Sequence, residues 1–202
     1  MRKIMMMIAL LAAILTACTT PSYQADGIEE YDIPTIVDEY VGDLDSSLAI
    51  FPDAETVAAA KAEYTAFLST GLFDTYGEIV LECTYDKGSF EQENQRLAGL
   101  SMTIVSGEEN HVNTVLYDAD SYNYPAYITA DGFGHTYEYA LMDEENLRII
   151  YVYLSYPDEE TGVDVRYLKR DAAVYEKADT FDRFSMYNHS FDGGESWTEF
   201  SD

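Results

Sequence analysis

The chain has 202 residues, 38 of them acidic and 11 basic, for a formal charge of −27 at neutral pH. That balance argues against nucleic acid as a partner. Phosphate contacts need clustered Lys and Arg, and the one basic cluster, Arg166, Lys169 and Arg170, is outnumbered by acids on both sides. Anionic lipid head groups would repel such a body, so its charge points to solubility first and to divalent cations second.

The chain opens with Arg2 and Lys3, then an apolar run from Ile4 to Leu15 that ends in Leu15-Thr16-Ala17-Cys18. A charged start, a short apolar middle and small residues before the cut make a secretory signal, and the run is too short to span a bilayer stably. Leu15-Thr16-Ala17-Cys18 resembles the lipobox of bacterial lipoproteins. The resemblance implies that residues 1–17 are removed and that Cys18 carries a diacylglyceryl group, which holds the chain on the extracytoplasmic side of the cell membrane. The competing reading is a secreted protein cut near Ala17 with Cys18 as a free thiol. Removing residues 1–17 takes two basic residues and no acid, leaving about −29 on about 185 residues, enough for one domain with tails.

Residues 18–32 are polar, carry a proline and a glycine and show no periodicity, which predicts a flexible tether spanning about 20 Å. Residues 33–170 read as the folded domain. Pro52 and Asp53 mark a helix start, Val57, Ala60, Tyr64, Phe67 and Leu68 fall on one stripe, and Gly71 closes it. A shorter helix is predicted over Phe90 to Leu97. The runs Glu78 to Tyr85, Leu100 to Val105, Val112 to Tyr117, Ala126 to Ala130, Thr136 to Met142, Leu147 to Tyr156 and Asp164 to Leu168 read as strands. Their short connections leave no room for crossover helices, so the prediction is α+β: a mainly antiparallel sheet of about five to seven strands with one long and one short helix on one face. Residues 171–202 read as an acidic linker followed by a hairpin. After lipidation Cys83 is alone, so no disulfide within the chain is expected, and its strand-like setting makes it a buried small hydrophobe.

The hairpin rests on Ser190, Asp192, Gly194 and Trp197, which with Ser196 resemble the Asp-box of sialidases and other β-propeller proteins. The resemblance implies a structural turn: Asp192 bonds turn amides, Gly194 allows positive φ and Trp197 packs beneath. One copy is far from a propeller, so it predicts only that Met186 to Asn188 pairs with Thr198 to Phe200, with no sialidase activity.

Eighteen tyrosines are present, nine of them from Tyr117 to Tyr156. Pairing Thr136–Met142 with Leu147–Tyr153 puts Tyr137, Tyr139, Leu141, Ile150, Val152 and Leu154 on one face, read as core. The other face carries Glu138, Tyr151 and Tyr153, and is the candidate surface for stacking on a glycan or receiving a partner protein. Asp118-Ala119-Asp120 and Asp43-Leu44-Asp45 lack the glycine and closing glutamate of a calcium loop, and His111, His135 and His189 have no ligand spacing, so no metal or cofactor site is predicted. No catalytic residue is assigned; Glu138 with Glu82 is the acid–base pair considered and set aside. The sequence reading is a non-enzymatic lipid-anchored envelope module, against an envelope hydrolase acting on carbohydrate or an accessory or inhibitory subunit of a surface complex.

Overall fold

The computed structural model describes residues 22–41, 46–70, 75–106, 109–157, 161–171, 175 and 184–187. The predicted α+β class is what forms. One antiparallel sheet of eight strands runs β1 (Ser22–Ala25), β2 (Lys61–Thr70), β3 (Thr75–Thr84), β9 (Arg148–Ser155), β8 (Thr136–Asp143), β7 (Ala126–Asp131) and β10 (Phe184–Ser185) in spatial order, with β6 (Leu116–Asp118) beside β10 on the same edge of β7. A separate hairpin joins β4 (Ser101–Ser106) to β5 (Glu109–Thr114).

The long helix expected from Asp53 does not form. Helix α2 stops after five residues, Ala54–Ala58, and the chain turns into β2. Tyr64, Phe67 and Leu68 fit a helical stripe, yet Tyr64, Ala66 and Leu68 also alternate with exposed neighbours, and only this second period pairs the full ten-residue strand with β3. The longest helix among the described residues is instead α3 (Lys87–Ala98), which is 12 residues long. Asp86 caps it by accepting from Gly88 N and Ser89 N, Phe90, Glu93 and Leu97 face inward, and Gly99 follows its end. The strand expected over Asp164 to Leu168 is a 3-10 turn, Val165–Tyr167, held by Asp164.

Two further boundaries shift. From Ser22 on, the segment expected as a tether is folded: β1 pairs with β2 from Ser22↔Ser69 to Ala25↔Ala66, and a 3-10 turn (Ile28–Glu30) leads into α1 (Ile33–Ile36). At the other end, Phe184 and Ser185 pair with Asp131 and Ala130, and Met186 and Tyr187 are buried, so this stretch belongs to the main domain rather than to a linker. The hairpin expected at Ser190, Asp192, Gly194 and Trp197 falls outside the described residues, as does Cys18.

Both faces of the sheet are covered at β8 and β9. Ile79, Leu81, Cys83, Ile149, Tyr151 and Tyr153 meet Ile36, Leu48, Val57, Phe90 and Leu97 from the helices and the 46–52 loop. On the opposite face Tyr137, Tyr139, Leu141, Ile150, Val152 and Leu154 pack against Tyr122, Val163 and Tyr167 from loops. Cys83 is fully buried, and burial pushes its thiol up to about 12. In the turn after β7, Gly132 adopts φ 87, a conformation that favours glycine.

Candidate functional site

The predicted division of the β8–β9 hairpin into two faces is correct, but the face of Glu138, Tyr151 and Tyr153 is not a surface. Glu138 and Tyr151 are 0% exposed and Tyr153 is 1% exposed. Alternation assigns residues to faces; it does not reveal that the N-terminal segment and the 46–52 loop fold over this one.

Glu138 is the anchor for that cover. Its carboxylate accepts from Ser46 Oγ, from Ile50 N at 3.0 Å and from Tyr187 Oη at 2.7 Å. Leu48 N donates to Ser46 Oγ at 2.8 Å and Ala49 N to Tyr187 Oη at 3.1 Å. Burial dominates and raises the Glu138 carboxyl above its ordinary range, against the lowering effect of its donors. Glu82 is on the opposite sheet face, with Val80, and is bound to Arg148 at 3.0 Å, so the Glu138–Glu82 pair does not form.

A second polar group holds the same loop from α3. Tyr151 Oη donates to Glu93 Oε1 at 2.8 Å, and Tyr85 and Tyr151 share a hydroxyl contact of 3.0 Å. Arg96 grips Glu93 through Nε at 2.8 Å and Nη2 at 2.6 Å. The same guanidinium donates to the Ala49 and Ile50 carbonyls at 3.0 and 2.6 Å. The 46–52 loop is thus fixed from beneath by one buried carboxylate and from the side by a planar fork, whose geometry favours bidentate binding.

Between this loop and the N-terminal segment lies a cleft of about 780 Å³, within the size range of small-ligand sites. Its aromatic and apolar walls come from Tyr23, Tyr31, Ile33, Leu48, Phe51 and Pro52. Glu29, Glu30, Asp32 and Asp53 also line it, and no lining residue is basic. Tyr31 ties the two walls together by donating to the Pro52 carbonyl at 2.6 Å, and its ring meets Tyr64 edge-on at 5.2 Å. Tyr23 Oη donates to the Glu30 carbonyl at 2.7 Å. Asp32 and Asp53 cap α1 and α2 by accepting from Thr35 N and Thr56 N at 3.2 and 2.7 Å. The bond from Thr56 holds the Asp53 carboxyl below its ordinary range.

Of these cleft residues the sequence singles out Pro52 and Asp53, as a helix start and not as a site, while Tyr23 and Tyr31 sit in a stretch without periodicity. The signal present is the pair of N-cap aspartates, Asp32 before Pro34 and Asp53 after Pro52. The basic cluster is engaged at every member: Arg166 with Asp164 at 2.6 Å, Lys169 with Asp131 at 2.6 Å, and Arg170 with the Asp120 carbonyl at 3.0 Å. Asp118 accepts from Asp120 N and Ser121 N, closing a turn. Among the described residues no three His, Cys, Asp or Glu side chains gather as a metal group.

No family model matches the chain, and neither a curated protein nor a solved structure matches it.

Proposed function

We propose that this chain is a lipid-anchored bacterial envelope protein, held through Cys18, that works as a non-enzymatic binding module with the cleft as its site. The observation that carries this reading is the cleft itself: it has ligand-sized volume and aromatic walls, and its loop is fixed by Glu138 and Arg96 before any ligand arrives. The order of charged start, apolar run and Leu15-Thr16-Ala17-Cys18 supports the anchor. Glu138 and Glu93 serve the fold as hydrogen-bond acceptors, a role that supports binding over acid–base chemistry.

Two measurements test the two halves. Cells fed a labelled fatty acid should label the protein, and Cys18→Ser should lose the label and leave the membrane fraction; label on the variant would sink the anchor. A thermal-shift panel of envelope-derived small molecules should contain compounds that stabilise the protein and fail on Ala54→Trp, which fills the cleft from an exposed lining position. Equal shifts in both proteins would place binding elsewhere.

A further inference from the structure

We infer that the cleft takes an organic ammonium group, on a free molecule or on a lipid head group. The inference rests on reading the cleft as a binding site and names the chemistry that site accepts.

Two independent features of the walls agree. Tyr23, Tyr31 and Phe51 line the cleft, and aromatic ring faces attract ammonium and quaternary ammonium groups; Phe51 is 5% exposed, so the two half-buried tyrosines carry this contact. Glu29, Glu30, Asp32 and Asp53 add negative charge with no lysine or arginine among the lining residues to cancel it. Arg96, whose charge reaches Tyr31 and Asp53, is committed through its guanidinium to Glu93 and to the Ala49 and Ile50 carbonyls. Asp32 and Asp53 are occupied as helix caps and supply field, whereas Glu29 and Glu30 are exposed carboxylates at the rim; Glu30 accepts one amide, Asp26 N, at 3.2 Å. An anionic ligand would meet repulsion from every charged wall residue. A neutral apolar one would gain nothing from the negative field of these carboxylates.

The position of the cleft in the chain adds the second possible source. Tyr23 is five residues beyond Cys18, so an extended chain puts this wall within about 18 Å of the lipidated cysteine. That reach lets an anchored chain bring the site to head-group height, where ammonium groups of lipids are presented as well as those of free solutes.

Choline and 3,3-dimethyl-1-butanol have nearly the same shape and differ in charge, which makes them the decisive pair for calorimetry on the full chain in detergent. Choline should bind at least about tenfold more tightly than the alcohol, and raising the salt should weaken it. Glu29→Gln with Glu30→Gln should cost about three- to tenfold, Gln keeping the acceptor for Asp26 N, while Glu91→Gln on the outer face of α3 should change nothing. Reconstitution of the lipidated protein in vesicles then assigns the source. A weaker apparent affinity for free choline in phosphatidylcholine than in vesicles of a neutral glycosyl-diacylglycerol means the head group enters, and equal affinity means the ligand is a free solute. Equal binding of choline and the alcohol, or no choline binding, overturns the ammonium assignment. If some other compound still stabilises the protein and fails on Ala54→Trp, the cleft survives as a site and only the ligand class is wrong. If no compound separates the two proteins, both readings fall.

Discussion

Tyr187 donates its hydroxyl to Glu138 at 2.7 Å across 49 positions of sequence, so the end of the described chain completes the polar core under the 46–52 loop. Removing that hydroxyl leaves a buried carboxylate oxygen and the Ala49 amide each short of a partner. Tyr187→Phe should lower the unfolding free energy by about 1–3 kcal/mol, measured in denaturant. A change within error would mean that water or another donor replaces Tyr187 without cost.

Glu138 should leave a signature in the pH dependence. Its folded pKa is raised by burial above the ordinary 4.5, so between the unfolded and folded values the folded chain holds more protons than the unfolded one. The stability this group contributes is full below 4.5 and is lost as pH rises through the folded value. The stability of the wild type relative to Glu138→Gln should therefore fall as pH is raised from 4 toward 8. A relative stability that rises over that range would contradict the burial argument. Comparison with the variant is essential, because Asp53, Asp86 and Asp164, with lowered carboxyl pKa values, lose stability in the opposite direction as pH falls.

Arg96 binds three groups in the loop's support, as many as Glu138 does. Arg96→Ala strips Glu93 of its charged partner and frees two loop carbonyls. Since Arg96 is itself one-third exposed, the loss should fall near the lower end of the ~3–5 kcal/mol typical of breaking a buried pair. Arg96→Lys keeps the charge without the fork and should recover less than half. Full rescue by lysine would show that charge alone matters.

Two glycines should respond in opposite ways to alanine. At Gly77, with φ +149, a Cβ would lie 2.0 Å from the Phe67 carbonyl oxygen, so Gly77→Ala forces the β2–β3 hairpin apart. The cost should exceed about 2 kcal/mol in thermal unfolding. At Gly99 the nearest atom is 3.4 Å away, an ordinary contact, and Gly99→Ala should be tolerated. Similar effects at both would remove the steric argument.

Cys83 should be inert until the protein opens. In Cys18→Ser it is the remaining thiol of the chain's two, fully buried and pushed up to about 12. An aromatic disulfide reagent at pH 8 should react at the rate of unfolding and stoichiometrically in denaturant. Rapid reaction of the native protein would contradict the burial.

Much of the sheet is legible in the sequence, since β-branched and aromatic runs between turn residues set β3, β7, β8 and β9, and alternation sorts Tyr137 and Tyr139 from Tyr151 and Tyr153. What covers each face is not legible. Whether Tyr151 meets water depends on Glu93, Phe51 and Leu48, which come from 58 to 103 positions away and leave no mark on its local pattern. The same limit explains the Asp53 helix. Val57 to Leu68 satisfies two periods, and pairing with Thr75–Thr84 decides between them. The cleft escapes notice because it is built from the N-terminal segment and the 46–54 stretch, neither of which has a strong period.

The order in which the sheet is assembled bears on how an exported chain reaches this structure. Its central seam joins β3 to β9, from Gly77↔Ser155 to Thr84↔Arg148, so the sheet stays in two halves until the intervening residues have emerged. Such non-local pairing slows folding. In a chain exported as proposed, β1, β2 and β3 pair with one another early, but the outer edge of β3 waits for β9, so the sheet closes only once residues 148–155 have crossed. On the proposed export reading, this late closure leaves the chain soft enough to be threaded and gives it its rigidity on the far side of the membrane.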